Sequence, residues 1–213
     1  LEDVQYFEDE LHAAVMAAED AGTYVMVHVY VPEAIRRAIR AGVKSIEHGQ
    51  LIDEPTMKLI AEKGVWLSMQ PFIGEGNNHY TNPVQQAKHE LVVQGTDRAY
   101  QLAKKYGVKL AWGTDLLFSP ANARNQNLNI EKMTRWFSNF EILKMITHDN
   151  AELLALSGRR NPYPGKLGVI EEGALADLIV VDGNALEDIK VLTDPGKNML
   201  LIMKDGKIYK NDL

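Results

Sequence analysis

AGTYVMVHVYVPEAIRRAIRAGVKSIEHGQLIDEPTMKLIAEKGVWLSMQP, residues 21–71, decides the fold. Three times in this stretch a glycine is followed by a short apolar run. A fourth copy, YGVKLAWGTD, occupies residues 106–115. The glycines are Gly22, Gly42, Gly64 and Gly107. A glycine just past a helix takes up the left-handed backbone that ends it. The runs after the glycines are short and rich in Val, Ile, Leu, Tyr and Trp, as buried parallel strands are. Between them lie helices with start signals. Pro32 suits a first turn and leads an apolar stripe of Ile35, Ala38 and Ile39, while Asp53 caps the next helix ahead of Pro55. Strands alternating with helices about every 20 residues predict βαβ units and a parallel sheet.

The polar residues fall into line when counted from each glycine. His28 and Tyr30 are six and eight residues past Gly22, and His48 is six past Gly42. Gln70 is six past Gly64, and Asp115 is eight past Gly107. All these offsets are even, so strand periodicity predicts one shared face at the C-terminal strand ends. In a barrel, that end carries the active site. Glu47 has the opposite parity to His48 and is expected to face the helices in a structural pair.

Four such units make half of an eight-unit barrel, which takes about 250 residues. The opening residues read as the interior of a helix over residues 1–21, with Phe7, Leu11, Ala14, Val15 and Ala18 at helical spacing. We therefore expect barrel sequence upstream of Leu1, or on another chain. Helical stretches are predicted over residues 139–146 and 150–156. The turn-forming NPYPG at residues 161–165 then introduces short strands over 178–181, 199–203 and 207–210. KDGK between the last two reads as a hairpin turn. The predicted architecture is α/β: barrel units over residues 1–160, then part of a small β-sandwich over 161–213.

Composition narrows the chemistry. The 213 residues carry a formal charge of −6 and no basic run, which argues against a nucleic-acid partner. No apolar run approaches the roughly 20 residues of a membrane span. We expect a soluble protein, with cytoplasm and periplasm both open. There is no cysteine, so a metal must be held by imidazole and carboxylate. His28, His48 and Asp115 form such a donor set for zinc or a similar divalent ion, with an open position for water. Asp115 is placed to take that water's proton. Tyr30 either packs its ring or hydrogen-bonds substrate. Gln70 either contacts substrate or caps the rim, and His79, in the long loop after the third strand, is a further substrate-contact candidate. His12, His89 and His148 read as surface or supporting residues.

HVYVPEAIRRAIRAGVKSIEHGQLID, AWGTD, NAELLAL and GKLGVIEEGALADLIVVDG together resemble the amidohydrolase superfamily. The similarity is strongest to its imidazolonepropionase-like and prolidase-like branches and covers essentially the whole chain. The resemblance implies that His28 and His48 are the ligands of strands five and six. It implies that Asp115 is the strand-eight ligand and general base, and that Tyr30 contacts substrate. It also implies one or two ions, with the remaining ligands upstream of Leu1, and a substrate that is a dipeptide, an acylated amino acid or a cyclic amide. The alternative is a non-catalytic half-barrel that acts only by pairing with a partner chain. In either case we expect the open strand edges to be covered, by the missing half or in a homo-oligomer. A nucleotide-binding open sheet is disfavoured, because no glycine-rich phosphate loop follows any strand.

Overall fold

The computed structural model describes residues 1, 3–74, 80–116 and 120–213. The chain divides into two compact units. One comprises residues 1–112 with 156–160, and the other comprises 113–155 with 161–213.

The first unit repeats one pattern: α1 (Glu8–Asp20), β1 (Met26–Val29), α2 (Pro32–Arg40), β2 (Ser45–His48), α3 (Glu54–Lys63), β3 (Trp66–Met69), α4 (Pro83–Tyr106) and β4 (Leu110–Trp112). Helix α1 begins later than the periodicity predicts. The Phe7 N–H donates to the Glu10 carboxylate at 2.8 Å, and Glu8, Asp9 and Glu10 crowd negative charge into the first turn, which fixes the start there. The other boundaries follow their caps. Asp53 accepts from the Thr56 N–H at 2.9 Å, and Asn82 accepts from the Val84 N–H at 2.9 Å. Gly64 and Gly107 end α3 and α4 with φ of 63° and 62°.

The four strands are all parallel and lie in the order β1–β2–β3–β4. Each strand neighbours its predecessor, with a helical crossover between. A doubly wound sheet would reverse this order at a switch point; a barrel segment does not. One sheet face is apolar. Ile46, Leu67 and Met69 are fully buried, and Ile35 of α2 meets Ile46 and Leu67 around Gly49. Residues 156–160 belong to this unit: Arg159 and Arg160 donate to the carbonyls of Asp20 and Ala21 at the end of α1.

The second unit holds α5 (Pro120–Ala123), α6 (Leu128–Lys132), α7 (Asn139–Lys144), α8 (Asn150–Ala155), β5 (Leu178–Val181), α9 (Pro195–Asn198), β6 (Met199–Lys204) and β7 (Lys207–Asn211). Ser138 and Glu141 start α7 with a reciprocal capping box. The two predicted helical stretches are joined by a π turn, Met145–Asp149, where the Thr147 hydroxyl donates to the Leu143 carbonyl at 2.6 Å. β5, β6 and β7 form an antiparallel sheet. Its last hairpin turns through Asp205 and Gly206, at φ 49° and 73°, as the Asp-Gly pair requires. The α/β class stands: a partial barrel sheet with a separate antiparallel sheet. Among the described residues, no helix is long and apolar enough to cross a membrane.

Candidate functional site

The expected ring cluster forms at the C-terminal ends of β1 and β2. The His28 and His48 ring centres are 4.4 Å apart and nearly perpendicular. Tyr30 stacks on His48 at 4.8 Å and 20°, and meets His28 edge-on at 5.1 Å. Three rings from two strands thus make one aromatic corner. His28 is exposed, Tyr30 half-buried and His48 buried.

Equal offsets from the glycines do not translate into equal register. His28 lies abreast of Glu47, and Val29 abreast of His48. Glu47 in turn lies abreast of Ser68. The ladder therefore places His28 on the face of Glu47 and Ser68, and simple alternation would send His48 to the opposite face. His48 returns because its backbone leaves the strand region: φ is 80°, and Gly49 follows at 71°. Glu47 correspondingly does not face the helices. Its carboxylate accepts from the Ser45 hydroxyl at 2.6 Å on the His28 face. Burial first, and the Glu47 charge second, raise the Tyr24 pKa above the usual phenol value.

Gln70 lies just past the end of β3 and is buried, with its carbonyl oxygen 2.7 Å from His48 Nδ1. Gln50, two residues past His48, donates to the same oxygen at 3.4 Å. No sequence signal marks Gln50, since it sits in a loop without periodicity. Its backbone carbonyl lies where a side chain on Gly95 of α4 would sit, 2.2 Å from the position of a Cβ. The absence of that side chain lets α4 press against the loop after β2.

Asp115 follows β4, is exposed, and has φ 50°. Among the described residues, the non-glycine positions with positive φ are His48, Asp115 and Asp205. Asp205 is explained by its hairpin. The other two are expected metal ligands, and backbone strain of this kind concentrates at functional sites. His79 lies outside the described residues. His12 Nδ1 lies 3.4 Å from the Ala41 carbonyl at the end of α2, and His148 pairs with Asp149 at 2.8 Å, both as supporting residues. Among the described residues, no group of three or more His, Asp or Glu side chains converges closely enough to hold an ion. The His28–His48 pair nonetheless suits one chemically, because imidazole nitrogen is a common zinc donor.

Comparison with known proteins gives a consistent picture. The chain matches the Amidohydrolase family over residues 2–209. It is 32% identical over 210 residues to the ochratoxinase of Aspergillus niger, covering 97% of this chain and 42% of that protein. A prolidase crystallised with N-methylphosphonate-L-proline is 36% identical with a TM-score of 0.84, over 97% of this chain and 50% of the other. A Xaa-Pro dipeptidase with bound methionine is 32% identical with a TM-score of 0.81, again over 97% and 50%. The chain thus spans half or less of the length of these relatives. With its motifs, its sequential parallel sheet and these matches together, the chain belongs to the amidohydrolase family.

Proposed function

We propose that this chain carries part of the active site of a divalent-metal-dependent hydrolase of amide C–N bonds. The observation that most directly supports this is the strand-end pair of imidazoles, His28 and His48, with His48 oriented by Gln70. Two imidazoles and a carboxylate suit zinc better than a hard, oxygen-seeking ion. On this reading His28, His48 and Asp115 hold one or two ions. The remaining ligands come from the other half of the barrel, either upstream of Leu1 or on another chain.

A bound ion supplies a Lewis acid at the scissile carbonyl and brings the pKa of its water to about 7. Asp115 accepts a proton from the attacking water and returns it to the leaving nitrogen. The Tyr30 hydroxyl donates to the substrate, at its carboxylate or at the oxygen that gains charge. His79 is a further candidate for substrate contact on this reading. The substrate class is a dipeptide, an acylated amino acid or a cyclic amide. The prolidase and Xaa-Pro dipeptidase likenesses favour a dipeptide whose scissile bond precedes proline.

The test is metal removal from the intact protein, followed by assay on Xaa-Pro dipeptides and N-acyl amino acids. Activity should vanish with chelation and return with zinc. Asp115→Asn should lower kcat by about 10²–10⁴-fold, the contribution expected of a general base. Full activity in the chelated protein, or in Asp115→Asn, would sink the reading.

A further inference from the structure

We propose that Gln70, backed by Gln50, is a positioning residue for His48. Its carbonyl oxygen holds the imidazole in the tautomer with the proton on Nδ1 and the electron pair on Nε2. The inference rests on the reading of His48 as a ligand, and it adds how that ligand is prepared before any ion arrives.

The three side chains form a buried chain: His48 and Gln70 are each 5% exposed and Gln50 is 1% exposed. Gln70 Oε1 stands 2.7 Å from His48 Nδ1 and 3.4 Å from Gln50 Nε2. Two amide arrangements satisfy these contacts. In one, the Gln70 oxygen accepts from both neighbours. In the other, both amides are turned over, and the Gln70 NH₂ donates to His48 and to the Gln50 oxygen. The remaining atom of the Gln50 amide decides between them, because it is buried with no partner among the described residues. In the first arrangement that atom is a carbonyl oxygen. In the second it is an NH₂ group with two stranded donors. A buried orphan acceptor occurs more readily than a buried orphan donor, so the first arrangement holds. His48 Nδ1 is then the donor, and its proton is fixed there. The Tyr30 ring stacked on His48 and the His28 ring against it set the ring plane. An imidazole whose second nitrogen donates to a carbonyl is oriented and made more basic toward a metal.

The test is nitrogen NMR on the intact, metal-free protein with ¹⁵N-labelled histidine, at a pH where His48 is neutral. His48 should show a pyrrole-type Nδ1 and a pyridine-type Nε2. Gln70→Met, which removes the acceptor at similar volume, should lose that pattern and weaken zinc binding by calorimetry about 10–100-fold. Gln70→Glu, which keeps an acceptor there, should retain both. A wild-type His48 protonated on Nε2 would overturn the proposal, even if Gln70→Met fails to fold. So would a Gln70→Met spectrum identical to wild type. If the wild-type pattern is as expected but zinc leaves the His48 nitrogens unmoved, the ligand reading falls and the tautomer assignment stands.

Discussion

His48 and Asp115 adopt backbone conformations that residues other than glycine seldom hold, with φ of 80° and 50°. Aspartate and asparagine tolerate the left-handed region about equally. Asp115→Asn should therefore keep its stability within about 0.5 kcal/mol in chemical denaturation while losing activity, which separates a chemical role from a structural one. Gly49 is less forgiving. Its φ is 71°, and an added Cβ would lie 2.9 Å from the Leu67 side chain. Gly49→Ala should cost about 1–3 kcal/mol, read from the denaturant midpoint. At this scale the sequence reveals residue types and spacing but not backbone angles. His28, Tyr30 and His48 were legible because they stand at fixed distances from helix-ending glycines. Even spacing alone does not group them. The ladder slips by one residue between β1 and β2, and the left-handed turn at His48 restores the grouping. Gln50 was illegible because its role depends on an amide contact with no sequence period.

Helix α4 shows how an element can serve a site that it does not enter. Gly95 is a poor helix former, and alanine in its place would ordinarily add about 1 kcal/mol of helix stability. Here its Cβ would fall 2.2 Å from the Gln50 carbonyl oxygen, backbone that cannot swing away. Gly95→Ala should therefore destabilise by about 1–3 kcal/mol in urea. It should also weaken zinc binding, because the loop that shifts follows His48 and carries Gln50. The ends of α3 and α4 are tied by Glu54, which accepts from Lys105 at 2.7 Å and from the Tyr106 hydroxyl. The Lys105 hydrogen bond, then that of Tyr106, holds the Glu54 carboxyl down at about 2. A carboxylate depressed in the folded state contributes fully above its ordinary range, and the contribution fades as pH falls toward the folded value. Between about pH 4.5 and 2, wild type should lose more stability than Glu54→Gln, and added salt should narrow the difference. Equal acid limbs would refute the coupling. The helices and strands were legible because their caps are explicit, down to Asp205–Gly206. The π turn at Met145–Asp149 was not, because the thirteen-atom and sixteen-atom hydrogen-bond rings share one hydrophobic pattern.

At the scale of the whole chain, β1 is an edge. It pairs with β2 on one side and, among the described residues, with nothing on the other. Met26 on this strand is half exposed, and Tyr6, which lines a cavity together with Met26, is largely exposed. An uncovered strand edge beside apolar surface favours association. We expect the 213-residue chain alone to sediment above its 23.9 kDa monomer mass. Met26→Lys, which places a charge on that edge, should shift it toward monomer. A wild-type chain that stays monomeric would remove the need for a covering partner. That the sheet holds half the strands of an eight-unit barrel was legible by counting, because the repeat has four copies.

The strand order β1–β2–β3–β4 also has a consequence for how the chain is made. Each strand's partner has already left the ribosome when the strand emerges, so the sheet can grow from one end with a single advancing front. Within β1–β4, no strand must slot between two others. Synthesis thus extends the sheet from β1 to β4 in whole strand–helix increments.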